Sequence, residues 1–443
     1  MSIGAGPWEL SQTPSIRVET PRGKPRLQDS LGSHWGDIHK GGIVKQVLAG
    51  FFRIASAICL ICLIVLLISA SATGPLHAAE PIKIGGIFSV TGWAAAIGTP
   101  PKEAVQVVVD EVNRKGGLLG RQIEVYYEDD QSNPTNSAIA ATKLVRDKMV
   151  DALIASTLTV FTMPVIPVVE REQVPLMAFG AGHEITVPLK KWVFRIPLTD
   201  YRLSPMMLKF SSETWGAKKI ALLHSTDSSG VMGAKGVVDT VGNYGMTIVA
   251  TESFETTDTN MIPQLTRIKA ANPDAIVLYT SAPPAAVIAK NYQQLGLKMP
   301  VVTNHGVPTP EFLNIAGKIP DVNNGRWICL GPKTIVADSL SPDDPYRKNL
   351  YDPFRKLLKE KYPRSEVTSF CANGYDAMSI LIQTISAAGS SSRPAIRDAL
   401  EKTRFNGLNS VYVYTPTDHD GQTGEGYVPI EIKEGRYSPF NKK

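Results

Sequence analysis

The chain has 443 residues, of which 43% are hydrophobic and 20% are charged, so it can bury one large core or two moderate ones. Beyond residue 79 it carries 39 basic and 37 acidic side chains, a net charge of +2. This balance argues against the basic surface that nucleic-acid-binding proteins need, so no nucleic-acid partner is expected.

The first 79 residues differ in character from the rest. Residues 1–53 form a polar extension ending in basic side chains, and residues 54–79 begin with the uncharged run "IASAICLICLIVLLISA" and end in "LHAA", just before Glu80. This pattern predicts a secretory signal peptide with cleavage after Ala79, and therefore export to the periplasm. A single transmembrane anchor is the alternative interpretation. Because so long a polar extension is unusual for a signal peptide, Val44 is an alternative translation start.

Four cysteines occur, and two of them, Cys59 and Cys62, lie in the apolar run and would leave with a cleaved signal. The exported chain keeps Cys329 and Cys371. Export permits a disulfide between them, but 41 intervening residues say nothing about whether the two Cα atoms approach. A disulfide and two free core thiols therefore both remain possible.

From residue 82 onward, short apolar strands alternate with longer helical patterns. The first unit pairs the strand "IKIGGIF" with a helix that has valines on one face, and strands "RQIEVYY", "DALIAS", "PLMAF" and "WVFRIP" follow. Such βαβα order predicts a parallel sheet with helices on both faces. After Thr199 the same rhythm restarts, with strands "KKIALLH", "GMTIVA", "DAIVLYT", "PVVTN" and "RWICLGPK".

The sequence therefore predicts an α/β fold with two doubly wound parallel-sheet lobes joined by three crossovers, near 197–200, 332–335 and 408–415. We assign residues 80–198 plus 334–407 to the first lobe, and 199–333 plus 408–443 to the second. Open parallel sheets bind ligands beyond the carboxyl ends of their strands. The loops expected around a small molecule are "SVTGWAAAIG", "STLTVFTMP", "AFGAGHEIT", "HSTDSSGVMG", "YTSAPP" and "TNHGVP".

Four stretches, "IKIGGIFSVTGWAAAIG", "VDEVNRKGGLLGRQIEVYYEDDQSNP", "CANGYDAMSIL" and "FNGLNSVYVY", resemble the periplasmic receptors of branched-chain amino acid ABC transporters. The resemblance covers residues 82 to 440. It implies the type I periplasmic binding protein fold, closure of two lobes over a solute, no cofactor, and membrane permease subunits as partners. We also expect a monomer.

The resemblance implies where the solute binds. A hydroxyl residue after the third strand and backbone groups after the fourth receive the carboxylate in that family; Thr159, with Thr157 beside it, and the loop residues Ala181 and Gly182 match those places. Gly182 stands where amino-acid receptors carry a threonine. A hydroxyl and backbone N–H groups can hold an anionic oxygen without a basic side chain.

In the second lobe the sequence departs from the family. Where amino-acid receptors carry a glutamate for the α-ammonium group, this chain has His305. The aromatic clamp is also absent, with Ser229 and Ala282 or Pro283 near its places. We expect Ser229 and Ser281, which precedes Ala282, to contact the solute instead. A buried ammonium without a counter-charge is costly, which favours a solute without one.

The family's small disulfide is missing too, because Ser132 and Leu158 stand where some members carry cysteines. Trp93, in the first glycine-rich loop, is either an aromatic wall for the solute or a side chain packed on the first helix.

Structural or metal-binding roles are alternative interpretations of some of these residues. His305 could be a turn residue bonded to its own loop, or a zinc ligand, although no other histidine lies at metal-motif spacing from it. The acidic "EDD" at 128–130 and "DHDG" at 418–421 could bind calcium or simply form turns.

No catalytic constellation is recognisable, so we expect a non-enzymatic receptor for a small organic solute, an aromatic or short aliphatic carboxylate. The alternatives are a receptor for branched-chain or other amino acids or amides, and a ligand-sensing regulatory module of the same fold.

Overall fold

The computed structural model describes residues 80–441, together with Gly50, Phe51, Arg53, Ser56 and Ile58. Apart from Ser56 and Ile58, residues 54–79 of the predicted signal peptide lie outside the described residues. None of the helices within the described part of the chain is both long and apolar enough to cross a membrane.

The first sheet has five strands, all parallel, as the βα order predicts. Four of the five are buried on both faces, which is why they read as apolar runs rather than as alternating patterns, whereas the edge strand Ile123–Asp129 is partly exposed. The strands are β1 (Ile82–Phe88), β2 (Ile123–Asp129), β3 (Ala152–Ala155), β4 (Leu176–Ala178) and β5 (Val193–Arg195), in the order β2-β1-β3-β4-β5.

Helices from two separate parts of the chain cover this sheet. The first set is α1 (Ala95–Arg114), α2 (Pro134–Arg146), α3 (Thr159–Thr162) and α4 (Ile166–Glu172); the second is α10 (Asp352–Lys361), α11 (Ser369–Ala388) and α12 (Arg393–Leu400). Helix α11 packs closely on α1, where a Cβ on Gly374 would lie 2.2 Å from the carbonyl oxygen of Pro101. Only glycine permits that approach of the two backbones.

The second sheet has seven strands and is mixed. Five strands are parallel, while the two C-terminal strands run antiparallel at one edge. The strands are β6 (Lys219–Ser225), β7 (Thr247–Phe254), β8 (Ala275–Tyr279), β9 (Val301–Thr303), β10 (Trp327–Pro332), β13 (Tyr427–Lys433) and β14 (Arg436–Pro439), in the order β14-β13-β10-β9-β8-β6-β7. Its helices are α5 (Asp200–Trp215), α6 (Ser228–Thr240), α7 (Ile262–Ala270), α8 (Ala282–Gln294) and α9 (Pro310–Ala316).

The chain passes between the two sheets three times, after β5, after β10 and before β13. A two-stranded sheet of β11 (Arg404–Asn406) and β12 (Val411–Val413) precedes the last passage. Asp376 of α11 holds this segment, accepting hydrogen bonds from the Leu408 amide at 2.6 Å, the Asn409 amide at 3.0 Å and the Tyr412 hydroxyl at 2.8 Å. Burial raises the pKa of Asp376 to about 7.

The two cysteines of the described region are free and buried, Cys329 in β10 of the second sheet and Cys371 in α11 beside the first. The disulfide alternative is therefore wrong, and the two thiols are core side chains. Burial raises the pKa of Cys329 to about 12, so its thiol stays protonated and unreactive at neutral pH.

One buried carboxylate ties together the ends of the first three strands. Asp130, fully buried after β2, accepts hydrogen bonds from the hydroxyls of Ser89 at 2.6 Å, Ser156 at 2.5 Å and Ser137 at 3.2 Å, and from the amide of Ser132 at 3.0 Å. Ser89 follows β1 and Ser156 follows β3. The acidic stretch considered for calcium thus contributes a structural carboxylate whose partners are protein donors.

We predict that Asp130→Asn lowers the free energy of unfolding by about 2 to 3 kcal/mol, because an amide cannot accept from all of these donors. Asp239→Asn is the matched control. That carboxylate is exposed and bonds to Lys235 on the same helix and to the Tyr201 hydroxyl, so its loss should cost far less stability than the loss of Asp130. Urea denaturation of both variants measures the difference, and equal stabilities would contradict the structural role of Asp130.

Candidate functional site

The predicted site residues lie in loops that follow the carboxyl ends of strands in both sheets. Two contacts join the loop after β4 to the second lobe. The carboxylate of Glu184 lies 3.2 Å from the Ser228 hydroxyl, and the rings of His183 and Tyr201 are 5.1 Å apart. The loop after β4 therefore meets the starts of α5 and α6 in the second lobe, as a binding site between two lobes requires.

In the first lobe, Thr159 and Gly182 are directly bonded. The amide N–H of Gly182 donates to Thr159 Oγ1 at 2.9 Å, and a Cβ on residue 182 would lie 2.5 Å from the Thr159 methyl group. The threonine of the amino-acid receptors would not fit here without movement. The Thr159 oxygen already accepts a hydrogen bond, so its own proton is available to donate to a solute.

Thr157 and Ala181 have different surroundings. The hydroxyl oxygen of Thr157, which is buried, accepts from the amide of Ser89 at 3.1 Å and so joins the loops after β1 and β3. The amide of Ala181, next to Gly182, makes no hydrogen bond to any of the described residues. Thr159 and Ala181 therefore each have a donor to offer in this half of the site.

Behind this loop lies a buried guanidinium group. Arg195, at the end of β5, is fully buried and donates to the carbonyl oxygens of Gly182 and Ala181, and to Thr186 Oγ1 at 2.6 Å. Its counter-ion is the buried Asp420. Burial lowers the pKa of Arg195 to about 9, so the group is still charged at neutral pH.

The two aspartates of the "DHDG" stretch, which was considered for calcium, form ion pairs with arginine side chains instead. Asp420 also pairs with Nε of Arg202 at 2.7 Å, and Asp418 pairs with the same guanidinium group at 2.7 Å. No group of three or more His, Cys, Asp or Glu side chains that could hold a metal ion occurs within residues 80–441.

Trp93 lies at the edge of the part of the site that the first lobe contributes. Its side chain is 71% exposed, and its ring centroid lies 5.7 Å from that of the buried Phe161, which belongs to α3. It is therefore not packed into the core beneath α1. An exposed indole beside the Thr159 loop is available to cover a solute.

The second-lobe half is centred on a carboxylate that the sequence analysis missed. Asp200, the first residue of α5, is 3% exposed and accepts hydrogen bonds from the Ser229 hydroxyl at 2.6 Å and from the Asn304 side chain at 3.2 Å. Burial raises the pKa of Asp200 above its usual value, and the neighbouring His305 offsets only part of that change. Ser229, predicted as a solute contact, is thus already bonded to Asp200.

His305 is half-buried, and its Nδ1 atom is enclosed without a hydrogen-bond partner among the described residues. Its ring lies edge-on to Tyr427, with centroids 6.0 Å apart. Burial lowers the pKa of His305 below its usual value, and the nearby Asp200 offsets only part of that change. A turn histidine would bond to its own loop, whereas this one presents an unused ring nitrogen.

A second polar atom nearby is also unused. Thr280, which follows β8 and is 2% exposed, has its hydroxyl oxygen enclosed without a partner in the described region, while its amide donates to Asn304 at 3.3 Å. Ser281, the next residue and a predicted contact, is exposed and makes no capping hydrogen bond at the start of α8. Thr280 and His305 are therefore the unsatisfied polar groups of this half.

Two of the missed residues carried a signal in the sequence. Arg195 is a single charged residue inside the short apolar strand "WVFRIP", a position where a charge needs a buried partner. Asp200 follows Thr199, the point after which the second run of strands and helices begins. In the structure Thr199 caps the helix there, accepting from the Arg202 amide at 3.0 Å, and Asp200 has the role described above.

The comparisons with known proteins agree with this geometry. A family model described as periplasmic binding protein matches residues 81–436. The "Leucine-, isoleucine-, valine-, threonine-, and alanine-binding protein" of Pseudomonas aeruginosa is 26% identical over 350 residues, covering 79% of this chain and 87% of that one.

Solved structures extend the agreement. An extracellular ligand-binding receptor from Rhodopseudomonas palustris is 28% identical with a TM-score of 0.70, covering 81% of this chain and 99% of that chain. A branched-chain amino acid transporter substrate binding protein of Streptococcus pneumoniae, solved with isoleucine, shares the fold at 24% identity and a TM-score of 0.65, covering 81% and 99%. The chain therefore belongs to the periplasmic binding protein family, with leucine/isoleucine/valine-binding proteins among its relatives.

Proposed function

We propose that the chain is an exported receptor that captures a small organic carboxylate between its lobes and delivers it to the permease subunits of an ABC importer. One observation carries the solute class. The first lobe offers a hydroxyl proton, on Thr159, to an anionic oxygen, whereas the second lobe offers His305 Nδ1 and Thr280 Oγ1, both unpartnered among the described residues.

The second-lobe groups suit the neutral end of such a solute. An imidazole with a depressed pKa is uncharged at neutral pH, so it can exchange a hydrogen bond with a hydroxyl or carbonyl, or pack against a ring. Trp93, exposed at the rim, adds an aromatic surface and favours an aromatic acid. The receptor acts as a monomer and carries out no chemistry on the solute.

A second candidate is an α-amino acid, and Asp200 is the observation that favours it. Its carboxylate lies close enough to His305 for each to shift the pKa of the other, and it could supply negative charge for an ammonium group. Two donors already occupy it, however, and only 3% of its surface is exposed. The names of the relatives also favour this candidate, because those names describe proteins that bind leucine, isoleucine and valine.

We expect titration calorimetry to show tighter binding of benzoate-like or short-chain acids than of leucine, isoleucine or valine. Thr159→Ala and His305→Ala should each weaken the best acid by about 1.5 to 3 kcal/mol, since each removes a buried hydrogen bond to a charged or polar solute group. Thr251→Ala is the matched control, because that hydroxyl is exposed on β7 and lies outside the loops of the site.

Two outcomes contradict the proposed solute class. One is tight binding of leucine by the wild type with no comparable acid binding. The other is a His305→Ala protein that binds its best acid undiminished. Incubation of each bound acid with the protein, followed by mass analysis, should recover it unchanged.

Closure should accompany binding, because a small solute can bond to Thr159 and His305 at once only when the two loops lie close together. Small-angle scattering with saturating solute is expected to give a smaller radius of gyration than the unliganded protein. An unchanged radius at saturation would mean a rigid site.

Export is expected to leave a mature chain that begins at or near Glu80, since the small residues before it suit a signal peptidase. N-terminal sequencing of the periplasmic fraction checks this. Recovery of the intact chain in the membrane fraction would instead favour an anchor.

A further inference from the structure

A continuous path of hydrogen bonds joins the buried Arg195 to the Thr159 hydroxyl. Nη1 of Arg195 donates to the carbonyl oxygens of Gly182 and, at 3.4 Å, Ala181. The amide of Gly182 donates to Thr159 Oγ1 at 2.9 Å. The Ala181 carbonyl and the Gly182 N–H belong to the same peptide group, so the cation and the hydroxyl lie at its two ends.

A cation at the oxygen of a peptide group polarises that group and makes its N–H a stronger donor. A hydroxyl that accepts a stronger hydrogen bond in turn donates its own proton more strongly. We propose that Arg195 is a positioning residue that strengthens the Thr159 hydroxyl as a donor to the solute's carboxylate, through the Ala181–Gly182 peptide. This inference rests on the proposed function, because it takes Thr159 as the group that meets the anion.

The surroundings of Arg195 keep this influence strong. The side chain is fully buried, so water does not screen it. Its counter-ion Asp420 is shared, because the other carboxylate oxygen pairs with Arg202 at 2.7 Å, and Asp420 also accepts from the Thr186 hydroxyl at 2.9 Å. The solute would thus be stabilised by a cation that it never touches.

Matched pairs of ligands separate this role from simple support of the loop. Benzoate with benzamide, and leucine with leucinamide, differ in the anionic oxygen and keep the rest of the solute. A support role would weaken both members of a pair equally, whereas the proposed role weakens the acid selectively.

The test variant is Arg195→Gln combined with Asp420→Asn, which leaves no unpaired buried carboxylate. We expect about a fivefold loss of affinity for whichever acid binds, because the Gly182 N–H is no longer polarised by the cation and the Thr159 proton is then donated less strongly. The amide partner should change less than about twofold, and Arg195→Lys, which keeps the charge, should restore part of the acid's advantage.

The matched control is Arg393→Gln. That guanidinium also donates to three backbone carbonyls of the first lobe, those of Val145, Val150 and Glu172, but it does not contact the Ala181–Gly182 loop. It should leave the ratio of acid to amide affinity unchanged. In a Thr159→Val background the Arg195 variant should have no further effect on the acid, because the path then lacks its last donor.

A readout without ligand keeps the inference separate from the solute class. In 15N-labelled protein, the amide proton of Gly182 should move upfield in the Arg195→Gln, Asp420→Asn variant and stay in place in Arg393→Gln. An unmoved Gly182 resonance, or equal losses for acid and amide, overturns the role of Arg195. If the wild type binds neither benzoate nor leucine, the proposed solute class fails, and the Gly182 resonance alone decides the role of Arg195.

Discussion

Buried carboxylates hold the loops on which this fold depends. Each of four aspartates is nearly or fully buried, and each accepts from groups that are distant in sequence: Asp130 in the first lobe, Asp200 and Asp420 at the first and third passages, and Asp376 under the small two-stranded sheet. A parallel sheet delivers its loops to one edge but does not fix their conformation. A charged acceptor with several donors fixes it, because any rearrangement would leave a buried charge unsatisfied.

The same interactions explain how much the sequence could predict. Apolar runs separated by helical patterns suffice to find the strands of each lobe and their order along the chain, because a parallel strand buried on both faces is apolar at nearly every position. The loops of the site also follow from that order. What each side chain does within its loop was harder to see, since Ser229 and Thr157 look like free hydroxyls until their partners, Asp200 and the Ser89 amide, are placed.

Long-range partners are what single-sequence patterns miss. Arg195 and Asp420 pair across more than two hundred residues of sequence, and the sequence around either residue does not indicate the other as its partner. The short strand around Arg195 showed only that a charge was out of place. His305 was recognisable because it departs from the resembling family, but its unpartnered ring nitrogen depends on how Tyr427 and Asp200 pack around it.

The discontinuous first lobe has a consequence for the order in which the protein can fold. Helix α11 covers α1, and Arg121 near the second strand bonds to Ser391, 270 residues later. A chain emerging from its N-terminus can form the β1 to β5 sheet, yet the face of α1 that packs on α11 has no cover until the whole second lobe has followed. Such delayed contacts slow folding and expose apolar surface meanwhile. If the chain crosses a membrane before folding, as proposed above, that delay keeps its first half from closing into a stable domain too early.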